Sequence, residues 1–137
     1  MFRLVALFCV VALVAHFTSA IEPTGELAKL AKDLHVACST KASISEEEIG
    51  KLKAGVFTGD DKSKNYLFCI YNGAKVIKDE DLDYEIIEKL APEAIKATAR
   101  GVLKGCFDKQ KDSKLVDKLY NMQKCVFTTS PTHHLIL

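Results

Sequence analysis

Apolar residues recur at every third or fourth position along most of this chain, the period of a helix with one buried face rather than of a half-buried strand. Leu27, Leu30, Ala31, Leu34 and Cys38 form the first stripe and predict a helix from about Thr24 to Cys38. Ser45-Glu46-Glu47-Glu48 has the capping-box pattern and opens a second helix with Ile49, Leu52 and Val56 on one face. Gly59-Asp60-Asp61 breaks and recaps the chain, and a third helix holds Leu67, Cys69, Ile70 and Tyr71 before Asn72-Gly73 stops it. Asp81-Leu82-Asp83 precedes a short fourth helix with Ile86, Ile87 and Leu90. Pro92 suits the first turn of a fifth, where its missing N–H has no partner to lose. That helix carries Ile95, Ala99, Val102, Leu103 and Cys106, with Ala94, Thr98, Gly101 and Gly105 as a strip of small residues beside them. The strip reads either as close helix packing or as room left for another group. After the charged link Asp108 to Asp112, a sixth helix sets Leu115, Leu119, Met122 and Val126 on one side. No strand is expected, so the fold class is all-α.

The first twenty residues follow a different pattern. Arg3 is followed by an unbroken apolar run from Leu4 to Ala15, and Thr18-Ser19-Ala20 closes it with small residues. This is the layout of an export signal cut after Ala20, too short and too interrupted for a spanning helix. The expected domains are therefore a signal peptide over 1–20 and a secreted, extracellular helical domain over 21–137. Arg3 is the only charge before Ile21, so the remainder balances 18 basic against 18 acidic residues. Such a chain has no bias toward nucleic acid or anionic membrane.

Cys9 falls within the expected signal, leaving Cys38, Cys69, Cys106 and Cys125, separated by 30, 36 and 18 residues. An even set in a small exported domain reads as a disulfide framework. Gaps of this length hold whole helices, so the bridges join helices. Four cysteines allow three pairings, and the residues alone leave all three open. A bridge from Cys106 to Cys125 would need the sixth helix to start late or to cross the fifth steeply.

Catalytic and metal chemistry find no residues to rest on. His35 and Cys38 have ligand spacing, but zinc needs further ligands and the cysteines are committed elsewhere. No nucleophile elbow, His-Glu-x-x-His, phosphate loop or dinucleotide fingerprint occurs. Acids at Glu46 to Glu48 and Asp79 to Asp83 fail the calcium-loop pattern and are explained as helix-start charges. The expectation is a protein that is not an enzyme, with no cofactor and no metal.

The export signal, six helices and cysteine gaps together resemble the insect odorant-binding protein family, the pheromone-binding and general odorant-binding proteins. Members usually have six cysteines, the second four residues before the third and the fifth nine before the sixth. Here those positions are Asn65 and Val116. The two pair with each other in the family, so their joint loss leaves no odd thiol and resembles the four-cysteine Minus-C subclass. The resemblance implies the pairing Cys38–Cys69 and Cys106–Cys125, and a six-helix domain enclosing an apolar cavity. It also implies a soluble carrier of small hydrophobic molecules such as odorants or pheromones, acting as a monomer or weak homodimer and reaching an olfactory receptor only indirectly.

Candidate ligand-binding residues combine the inward faces with positions counted from the cysteines. Leu67 and Tyr71 flank Cys69, Leu103 lies three before Cys106, and Met122 and Val126 lie on either side of Cys125. Leu90, Thr98 and Leu119 follow from periodicity alone. Tyr71 is expected to donate a hydrogen bond to a guest carbonyl or alcohol, or else to be a core tyrosine with its hydroxyl toward water. The tail after Pro131 ends in His133, His134 and three apolar residues. It reads as a frayed end, or as a pocket cover with His133 and His134 as a pH-sensitive element. The alternative to a carrier is a structural or interaction protein of a body fluid, with a packed core and no ligand.

Overall fold

The computed structural model describes residues 25–112 and 114–134. The expected signal and the last three apolar residues lie outside the described residues. The elements are α1 (Gly25–Ala42), α2 (Glu46–Lys53), α3 (Asp61–Gly73), a hairpin of β1 (Ile77–Lys78) and β2 (Asp81–Leu82), α4 (Tyr84–Leu90), α5 (Lys96–Asp108) and α6 (Leu115–Thr129), followed by a 3₁₀ turn, Pro131–His133. The domain is all-α apart from the hairpin.

Helix starts sit where side chains can cap them. Ser45 Oγ accepts from Glu48 N–H at 3.2 Å while Glu48 accepts from Ser45 N–H at 2.8 Å, the expected capping box. Asp60 accepts from Ser63 N–H at the start of α3, and Asp83 from Glu85 and Ile86 N–H at the start of α4.

Several boundaries differ from expectation. The α1 helix continues past Cys38 to Ala42. The α3 helix ends at Gly73 as expected, but the glycine is not the left-handed residue that closes it. That residue is Lys75 at φ 59°, and Val76 and Lys75 N–H close back on Tyr71 and Asn72 carbonyls. Asp79 and Glu80 are both left-handed and turn the two-residue loop between β1 and β2, a hairpin not foreseen. The α5 helix starts at Lys96 rather than at Pro92. Ala91, preceding proline, is extended, and Pro92 to Ile95 forms a separate turn instead. The strip of Ala94, Thr98, Gly101 and Gly105 faces outward. Its glycines neither pack nor enclose a recess, since a Cβ built at Gly101 or Gly105 meets nothing within 4 Å.

The buried side chains form two clusters. One gathers Cys38, Ile49, Leu52, Tyr66, Leu67 and Ile70 with Tyr120, joining α1, α2 and α3 to α6. The other gathers Val76, Leu82, Ile87, Ala99, Phe107, Leu119, Met122 and Val126. The α3 helix packs on both α1 and α6, so it stands between the two halves, while α5 packs on α4 and α6.

Cys38–Cys69 ties α1 to α3 and Cys106–Cys125 ties α5 to α6, each with Cα atoms 5.6 Å apart. The second bridge joins Cys106, near the end of α5, to Cys125 in the later part of α6. His35 is a structural tie, bonding Glu46 Oε1 at 2.7 Å and the buried Tyr66 hydroxyl at 3.1 Å. Among the described residues, no helix is long and apolar enough to cross a membrane.

Candidate functional site

Between the helices lies an apolar cavity of about 110 Å³. Its walls are built from eight parts of the chain. Leu67, Ile70 and Tyr71 come from α3, Ile87 and Leu90 from α4, and Ala99 and Leu103 from α5. Ala74 and Val76, which lead into the hairpin, and the Ala91, Pro92 and Ile95 turn close two sides, with Leu27 of α1 at an edge. Gln123 of α6 and His133 of the 3₁₀ turn supply polar surface.

The structure brings Leu67, Tyr71, Leu90 and Leu103 together on this wall. It separates Leu119, Met122 and Val126, each 0% exposed, which pack in the core and do not line the cavity. Thr98 is exposed and off the wall, but its Oγ1 meets His133 Nε2 at 2.6 Å and so braces a wall residue. Thr98 Oγ1 donates to Ile95 O, which makes it the acceptor of the His133 N–H.

Gln123 is the wall residue that sequence reading missed, and a signal for it existed. It lies one helical turn after Leu119, a polar residue on an apolar stripe, and it is 1% exposed. A buried amide must be hydrogen-bonded, and here it is central. Tyr71 Oη donates to Gln123 Oε1 at 2.5 Å, Gln123 Nε2 lies 3.1 Å from His134 Nδ1, and His134 Nε2 lies 3.0 Å from Leu52 O. The chain runs from α3 through α6 to the tail and ends on α2. Tyr71 is thus not a core tyrosine reaching for water, and its hydrogen is held by Gln123.

Burial shifts both ends of this network. The Tyr71 phenol is pushed above its ordinary value by desolvation, so it stays neutral. Desolvation likewise holds His134 below its ordinary value, opposed by hydrogen bonds to the Leu52 and Lys53 backbone. His134 also stacks edge-on against Phe127 and Phe57, with ring centroids 4.8 and 5.9 Å away. The tail is therefore packed into the domain through His134, while His133 faces the cavity. The arrangement holds neutral, mutually bonded polar groups against an apolar void, a surface suited to taking up an uncharged apolar guest.

A family model described as the PBP/GOBP family matches residues 21–129. Among solved structures, the fold is similar to Apis mellifera odorant binding protein 5, at 22% identity and a TM-score of 0.70, covering 80% of this chain and 93% of that one. It is similar also to odorant binding protein 4 of the predator Chrysopa pallens, at 23% identity and a TM-score of 0.70, covering 83% of this chain and 99% of that one.

Proposed function

We propose that this chain, which belongs to the PBP/GOBP family, is a carrier that encloses one small hydrophobic molecule, an odorant, pheromone or similar lipophile. The observation that carries this reading is the apolar cavity walled by Leu67, Tyr71, Leu90 and Leu103. A packed structural protein has no use for an open void in its interior, since unfilled space forfeits contacts.

The size of the cavity bounds the guest. Drug-sized ligands occupy roughly 300–1,000 Å³, whereas an apolar cavity of about 150 Å³ holds benzene. At about 110 Å³, the site suits a single ring or a short chain. Burying ~250 Å² of such a guest at ~25 cal/mol per Å² contributes roughly 6 kcal/mol before ordering losses. That lies between the roughly 4 kcal/mol of a millimolar complex and the roughly 8 kcal/mol of a micromolar one. Weak, reversible uptake is the expected regime for a carrier.

Residues 1–20 act as a signal cut after Ala20, and residues 21–137 circulate outside the cell as a four-cysteine Minus-C member. Two disulfides among the four remaining cysteines support that assignment, as do Asn65 and Val116 at the family's other two positions. The 3₁₀ turn and His134 serve as a cover, with His133 at the wall and His134 as the group that senses pH. No covalent step is involved, and any receptor is reached through the ligand it delivers.

Leu103→Trp tests the site. The indole should fill the void and weaken toluene binding by about tenfold or more, the effect of losing roughly 1.4 kcal/mol, with the unfolding temperature retained. Undiminished binding by a folded variant would remove the cavity as the site.

A further inference from the structure

The polar corner of the cavity has a direction. Leu52 O can only accept, so the His134 Nε2 facing it at 3.0 Å carries the hydrogen. The ring is buried and neutral, which leaves Nδ1 an acceptor. The group of Gln123 facing Nδ1 at 3.1 Å is then its NH₂, and this turns Oε1 toward Tyr71. Tyr71 Oη must donate to that oxygen. A main-chain carbonyl thus fixes the sense of every hydrogen bond up to the cavity wall.

Tyr71 has only one hydrogen, and Gln123 holds it. What its oxygen retains is acceptor capacity, desolvated by burial, and both Tyr71 and its partner Gln123 line the apolar void. His133, the other polar wall side chain alongside Gln123, is held between Thr98 Oγ1 at 2.6 Å and Ser130 Oγ at 2.7 Å.

We propose that the cavity selects a small hydroxyl-bearing guest, a one-ring or short-chain alcohol or phenol whose O–H donates to Tyr71 Oη. The proposal rests on the carrier reading above and adds the chemical class of the cargo. A ketone, aldehyde or ester of equal size brings only acceptors to this corner. Its oxygen then faces the Tyr71 lone pairs with no hydrogen between them, in surroundings where an unpaired polar atom is costly. This reverses the role expected of Tyr71 from sequence, where it was to donate to the guest.

Titration calorimetry of the secreted protein with cyclohexanol, cyclohexanone and toluene decides the matter. Toluene, an apolar ring of similar size, reports whether the cavity accepts guests at all. Cyclohexanol should bind about tenfold more tightly than cyclohexanone, the scale of one neutral hydrogen bond gained against one acceptor left unpaired. In Tyr71→Phe that ratio should fall to about one while toluene still binds. If toluene binds and wild-type protein prefers cyclohexanone or shows no preference, the alcohol proposal fails and the carrier reading stands. If none of the three binds, both fail. A preference that survives unchanged in Tyr71→Phe overturns the assignment to Tyr71, and should that variant not fold, the wild-type ratio alone decides.

Discussion

At the scale of single residues, the cavity depends on a few polar side chains that satisfy one another. Gln123 holds both Tyr71 and His134, so its replacement by leucine leaves the Tyr71 hydroxyl and His134 Nδ1 without their partner. An orphaned buried polar group costs about 1–3 kcal/mol, and urea unfolding of Gln123→Leu should show a loss in that range. His134 sets the pH response. Its pKa is lowered in the docked tail, so docking is at full strength above the unperturbed value near 6.5. Docking weakens as pH falls below that value toward the lowered one, because the released ring takes up a proton more readily than the buried one. Resonances of Phe57 and Phe127, which stack on His134, should shift between pH 7 and pH 5, and His134→Phe should abolish the shift. An unchanged spectrum would remove His134 as the sensor. Leu67, Tyr71 and Leu103 were legible because helical period and distance from a cysteine both mark inward positions, and Leu90 was legible from period alone. Met122 and Val126 satisfy both criteria and Leu119 the first, yet all three pack solid. Periodicity says which residues point inward and is silent on which of them leave space.

At the scale of elements, legibility followed the caps. Ser45, Asp60 and Asp83 each announce a helix in sequence and each makes its bond in the structure. The hairpin was hidden because Asp79 and Glu80 occupy its left-handed turn, where Asn-Gly or Asp-Gly is the usual signal. Helix ends give a sharper test. Gly55 ends α2 at φ 82°, and a Cβ there would stand 2.1 Å from the Phe127 ring, which in turn packs on His134. Gly55→Ala should therefore cost more than the ~1 kcal/mol that a compatible glycine replacement can contribute, and should loosen the tail. Gly101→Ala, in open space on α5, should instead stabilise the domain by roughly 0.5–1 kcal/mol. Equal effects in urea unfolding would contradict the placement of both.

At the scale of the whole molecule, two cross-links divide the labour. Cys38–Cys69 closes the half built on α1, α2 and α3, and Cys106–Cys125 closes the half built on α5 and α6. Each bridge contributes about 2–4 kcal/mol by constraining the unfolded chain. Neither bridge spans the contact between α3 and α6, which is made by packing, by the Tyr71–Gln123 bond and by the Lys64–Asp117 ion pair at 2.9 Å. Leu67, Ile70 and Tyr71 of α3 and Gln123 of α6 all line the cavity beside that contact. The existence of the cavity was expected from family resemblance, but its outline was not readable from sequence. Ala74, Val76, Ala91, Pro92 and Ile95 belong to turns whose geometry no helical period describes.

The most direct measurement is a set of nuclear Overhauser contacts from bound toluene to the protein's methyl groups. Contacts to Leu67, Leu90 and Leu103, with none to the core methyls of Val126, are the predicted result. Toluene that fails to bind, or that touches only surface methyls such as those of Val36, which is 60% exposed, would contradict the claim that this cavity receives a guest.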